Sequence, residues 1–185
     1  MALCLPNVTA TRLSPRTVAF VFGWALLAAP PLAAQDCQPV FDAFDKVMAT
    51  PAHIVSTTES GGKPKTTETI YFGDDIYTLE KDKWVRSPIK LAQVQKTDQE
   101  NRRKSSYACN HLKDELIDGD VVAQYKTHSV ILGTVTDSEI WISKASGLIV
   151  RNEVDITTTA VGGNKAGKSH YSVRYDYKDV KPPKV

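Results

Sequence analysis

Residues 162 to 169, Gly-Gly-Asn-Lys-Ala-Gly-Lys-Ser, fit the phosphate-cradling template of a glycine, four residues and then Gly-Lys-Ser. Backbone N–H groups wrap a phosphate only where such a loop leaves a strand and opens a helix whose N-terminus faces the anion. Here a period-two pattern follows from His170, so the segment reads as a glycine-rich hairpin loop. Four histidines, His53, His111, His128 and His170, stand at no spacing typical of a metal pair, and read as surface or edge-strand residues. A zinc site assembled from distant parts is the alternative. Asp114, Glu115, Asp118 and Asp120 form an acidic turn without the loop pattern of a calcium site, and read as a solvated turn. No Gly-x-Ser-x-Gly elbow or similar nucleophile signature occurs. Arg102, Arg103 and Lys104 make a small basic cluster suited to complementing a helix C-terminus, with contact to an anionic headgroup as the rival reading.

The cysteines carry chemistry of a different kind. The first 34 residues have the layout of a secretory signal peptide: Arg12 and Arg16, an uncharged apolar run from Val18 to Ala28, then Pro30, Pro31, Leu32, Ala33 and Ala34. Cleavage after Ala34 removes Cys4 and sends Cys37 and Cys109 to an oxidising compartment, where two cysteines suggest one disulfide. Two buried free thiols are the alternative. Gln35 and Asp36 separate the cut from Cys37, which argues against lipidation. The expected location is the periplasm or the extracellular space.

Residues 35 to 185 are enough for one domain with a real core. Both leader charges are basic, so this part carries 21 Lys and Arg against 21 Asp and Glu. A neutral domain lacks the clustered positive surface that phosphate-backbone binding needs, so nucleic acid is not an expected partner. No second long apolar stretch follows the leader, and the mature chain is expected to be soluble and monomeric, with at most peripheral envelope contact.

The positioning elements follow from periodicity. Val40, Phe41, Phe44, Val47 and Met48 make one stripe of a short helix that Pro51 ends. Ile54 to Glu59, Thr66 to Phe72 and Ile76 to Glu80 read as strands of a hairpin meander. A second helix is predicted to start near Ser87 and Pro88 and to carry Ile89, Leu91 and Val94. Strands then run from Tyr107 to Ile117, from Val121 to Ser129, through Ile140 to Ile142, from Leu148 to Ile156, and through Tyr171, Val173 and Tyr175. About eight strands and two helices, in no regular alternation, predict an antiparallel α+β domain. A strongly curved sheet of that size encloses more space than two short helices fill, and such hollows commonly hold an apolar ligand.

The order of elements resembles a known family. The run from Ile70 through Tyr71, Phe72, Gly73, Asp74, Asp75 and Ile76 to Tyr77 comes first, then Trp84 ahead of Ser87 and Pro88. Ile140, Trp141, Ile142 and Ser143 later turn through Ser146, Gly147, Leu148 and Ile149 to Val150, Arg151 and Glu153. Together these resemble the LolA/LppX-like superfamily of exported lipid and lipoprotein carriers, over nearly all of the mature chain. The resemblance implies an unclosed β-barrel, a curved antiparallel sheet lidded by two or three short helices, whose concave apolar side receives acyl chains. The chain departs from the soluble lipoprotein carrier at Cys37, Cys109 and the long turn from Gly162 to Lys168, and no functional residue of that carrier maps onto it.

The resulting expectation is a non-enzymatic periplasmic binding protein for an acyl chain, lipid or acylated protein, with no cofactor, metal or catalytic residue. Its cavity candidates are Ile70, Phe72, Ile140, Ile142, Val154, Val173 and Tyr175 on the sheet, with Phe44 and Val47 from the lid. A register slip of one residue would exchange the two faces. The rival expectation is a cell-envelope interaction module with a packed interior and no small-molecule ligand.

Overall fold

The computed structural model describes residues 36–60, 64–131, 133–159 and 166–185. The leader expected over residues 1 to 34 and most of the glycine-rich turn lie outside them. Helix α1 spans Gln38–Ala49, with Pro39 in its first turn, where a missing N–H costs nothing. Val40, Ala43 and Val47, three and four residues apart, form its buried stripe. At its C-terminus the Thr50 hydroxyl donates to the Lys46 carbonyl at 2.8 Å. Pro51 follows, and the chain turns into the sheet.

The strands are β1 (Ala52–Glu59), β2 (Lys65–Phe72), β3 (Asp75–Glu80), β4 (Lys83–Arg86), β5 (Ser106–Ile117), β6 (Asp120–Ile131), β7 (Thr134–Ser143), β8 (Ile149–Thr158) and β9 (Gly167–Asp176), with helix α2 (Leu91–Lys104) between β4 and β5. They form one antiparallel sheet in the order β4-β3-β2-β1-β9-β8-β7-β6-β5, curved and not closed. Two meanders, β1 to β4 and β5 to β9, are joined where β1 pairs with β9 along His53 to Glu59. The edge strands β4 and β5 are therefore neighbours in sequence, and α2, about 21 Å long at 1.5 Å per residue, connects one edge of the sheet to the other.

Among the described residues the sheet has nine strands where the sequence predicts about eight. The additional one is β4, four residues of which two are charged, too short to show alternation. The second helix begins at Leu91 and not at Ser87, because the Ser87 N–H is still engaged by the Ile76 carbonyl at 2.8 Å. Its start is fixed by tertiary partners: Asp74, in the β2–β3 turn, accepts from the Leu91 N–H through its carbonyl (3.1 Å) and from the Ala92 N–H through its carboxylate (2.9 Å). The Asp118-Gly119 turn between β5 and β6 has both residues at positive φ, 50° and 85°, the conformation that matches the twist of a two-residue hairpin.

Register assigns the faces. Cross-strand partners share a face, so Cys109, Thr127, Ser138 and Val154 lie on one side, as do Tyr125, Ile140, Asn152 and Val173. Helix α1 covers this inner face: Val40, Ala43 and Val47 pack with Cys109, Ile140, Ile142, Leu148 and Ile149, and Tyr71, Tyr125, Tyr175 and Tyr177 close around them. Bulges at Leu112 in β5 and Val150 in β8 bend their strands.

Candidate functional site

Three attachments hold the helices over the inner face. Cys37, at the N-cap of α1, is disulfide-bonded to Cys109 of β5, with Cα atoms 5.2 Å apart. The pairing expected from the cysteine count is present. At the far end of α2, Arg102 reaches back to α1. Its guanidinium lies 4.9 Å from the Phe41 ring centroid and contacts the Asp45 carboxylate at 3.1 Å and that of Asp98. Phe41 in turn meets the Tyr107 ring edge-on at 5.2 Å. Arg102, Arg103 and Lys104 occupy the last turn of α2, where their charge complements the helix C-terminus as expected; Arg102 is in addition committed to two carboxylates, while Arg103 and Lys104 are exposed.

Between α1, α2 and strands β5 to β7 these attachments leave a cavity of about 240 Å³. Its α1 side is apolar, with Val40, Phe41 and Phe44, and Ile131 and Ile140 add apolar surface from the sheet. The rest of the sheet wall is hydroxylated: Thr127 and Ser129 of β6 face Ser138 and Thr136 of β7. Asp98, Asn101, Arg102 and Tyr107 form the polar side nearest α2. A second groove of about 540 Å³ runs on the opposite flank of α1, floored by Ala43, Ala123, Tyr125 and Ile142. On its wall Lys144 pairs with Asp114 at 2.6 Å and His111 with Asp114 at 2.9 Å, and these contacts hold the Asp114 carboxyl below the usual carboxylate range.

The nine expected cavity residues separate. Phe44 and Ile140 line the 240 Å³ cavity, and Ile142 lines the larger groove. Val47 is packed in the core, and Val154 and Val173 are half-buried on the inner face. Tyr175 packs against the core and stacks on Tyr177 at 6.4 Å, and burial pushes both phenols well above their ordinary pKa. Ile70 and Phe72 fall on the opposite, outer face, because Tyr71 between them points inward and cross-strand partners Tyr77 and Asp75 share their side. Their placement among the inner residues is corrected by register, since β2 reaches the cavity strands only through β1, β9 and β8.

Phe41, Arg102, Tyr107 and the hydroxyl wall line the cavity without being among the expected site residues. A signal for the wall is present: Thr127 and Ser129 in β6, and Thr134, Thr136 and Ser138 in β7, are small polar residues at period two on the covered face. Other motifs resolve locally. Gly167, Lys168 and Ser169 are strand residues of β9 paired with Thr158, Thr157 and Ile156, so no helix N-terminus follows the glycine-rich turn. Each histidine has a carboxylate partner: His53 with Glu68 (3.0 Å), His111 with Asp114 (2.9 Å), His128 with Asp137 (2.8 Å) and His170 with Asp155 (2.9 Å). Among the described residues no group of three or more His, Cys, Asp or Glu is arranged to hold a metal ion, and no helix is long and apolar enough to cross a membrane.

By sequence, neither a family model nor a curated protein matches the chain. Among solved structures, LprF from Mycobacterium bovis is similar at 9% identity, over 80% of this chain and 95% of that one, with a TM-score of 0.44. A DUF1329 family protein from Desulfovibrio piger is similar at 13% identity over 78% and 94%, with a TM-score of 0.30. A domain from Vibrio parahaemolyticus, described as an outer membrane lipoprotein-sorting protein, is similar at 9% identity over 78% and 93%, with a TM-score of 0.26. All three TM-scores lie below 0.5, and the identities are at most 13%.

Proposed function

We propose that this is an exported, non-enzymatic binding protein that shelters an acyl chain or similar apolar group between its two helices and the inner face of its half-barrel. The observation that carries the reading is the 240 Å³ cavity under α2, where the half-buried Phe41 and Phe44 offer a surface from which water is displaced favourably, at about 25 cal/mol per Å² of apolar area. The cysteine at the cavity, Cys109, is held in the disulfide, so no free thiol faces a ligand there. The open edges of the sheet, joined only through α2, leave a side on which a ligand can enter without breaking a strand pair.

Native mass spectrometry of the protein purified from the envelope without detergent tests this. A bound mass matching a lipid, lost on organic extraction, is the expected result. A ligand-free protein that also fails to take up the neutral apolar dye N-phenylnaphthylamine would remove the proposal.

A further inference from the structure

We propose that the cavity under α2 selects an uncharged, single-chain amphiphile whose polar part hydrogen-bonds the hydroxyl wall, in preference to an anion such as a free fatty acid; the inference rests on the binding role proposed above. Three observations lead there. First, Thr127 faces Ser138 and Ser129 faces Thr136 across β6 and β7, so four hydroxyls form one block on the cavity wall. Thr127 and Ser138 are only 8% and 9% exposed. Bare hydrocarbon pressed against this block would strip water from the hydroxyls without replacing its hydrogen bonds, whereas an ester or alcohol oxygen replaces them.

Second, charge is unfavourable to an anion. Arg102 is the cation lining the cavity, and Asp45 and Asp98 both lie against it, two carboxylates to one guanidinium. An incoming carboxylate or phosphate meets a surplus of its own sign. Third, size limits the ligand: 240 Å³ holds roughly eight groups of the volume of a water molecule, enough for part of one chain and a small polar group.

The test is displacement of N-phenylnaphthylamine from the purified protein by monolaurin and by laurate, which share one acyl chain and differ in charge. Monolaurin is expected to displace the dye at concentrations at least about tenfold lower than laurate. Thr127→Val with Ser138→Ala should weaken monolaurin about tenfold while the dye still binds, and Ser129→Ala with Thr136→Val should act in the same direction. Laurate competing as well as monolaurin, or monolaurin unaffected by both double variants, overturns the selectivity and leaves the binding role standing. Failure of the dye and of both amphiphiles to bind overturns the two together.

Discussion

His170 sits on the outer face with Asp155 at its Nδ1 (2.9 Å) and Glu153 at its Nε2 (3.2 Å). The Asp155 hydrogen bond, reinforced by the charges of Asp155 and Glu153, raises its pKa above the ordinary 6.5. The folded state thus holds this proton more tightly than the unfolded chain. The stabilisation is complete below the unfolded value and is lost as pH rises through the folded one. Thermal midpoints between about pH 5 and 9 should therefore fall on the alkaline side of 6.5, and His170→Gln should flatten that fall. Equal pH slopes in the two proteins would refute the assignment. In the core, Ile140 is 1% exposed beneath α1, and Ile140→Ala should cost about 2–5 kcal/mol in urea unfolding. A loss under 1 kcal/mol would mean that the α1 contact closes around the smaller side chain.

At the scale of elements, each helix is held by a covalent or ionic attachment, in α1 besides an apolar stripe and in α2 besides the buried Leu91. The Cys37–Cys109 bond spans a sequence separation of 72, which by chain entropy is worth about 4 kcal/mol. Replacing both cysteines with serine should lower the unfolding free energy by that order, and reductant should do the same to the unaltered protein. An unfolding curve insensitive to reductant would show that α1 is kept in place by packing alone. Arg102, 12% exposed between two carboxylates, ties α2 to α1. Arg102→Ala leaves Asp45 and Asp98 facing each other and should cost about 2 kcal/mol, less than a fully buried pair because both carboxylates are partly solvated. Asp98→Asn keeps one partner and should cost less, and the reverse order in chemical denaturation would contradict the clasp.

For the whole molecule, face assignment makes a prediction that residue type does not. Phe72 is the larger and more apolar side chain, yet it lies on the outer face, so Phe72→Ser should leave N-phenylnaphthylamine affinity unchanged. Ser138 lies in the cavity wall, and Ser138→Phe should fill the space and reduce dye binding at least about tenfold. Fluorescence titration of the two variants decides between the faces, and the opposite pattern would place the hollow on the other side of the sheet. The open edges, β4 and β5, are connected through α2, which is why the lid and the closure of the fold are one element.

Much of this was written in the chain itself. Turn signals and alternation determined an antiparallel α+β fold, the apolar stripe determined α1, and two cysteines determined the bond that holds it, because each depends on neighbours within a few residues or on composition. Tertiary structure decided the rest. The short strand β4 exists because β3 pairs with it, α2 starts at Leu91 because Asp74 receives its first N–H groups, and Ile70 parts from Ile140 because a pairing register accumulates across the strands between them. The hydroxyls of Thr127 and Ser138 were visible as letters, but only pairing across β6 and β7, under a helix that begins beyond the opposite edge of the sheet, makes them the wall of one cavity.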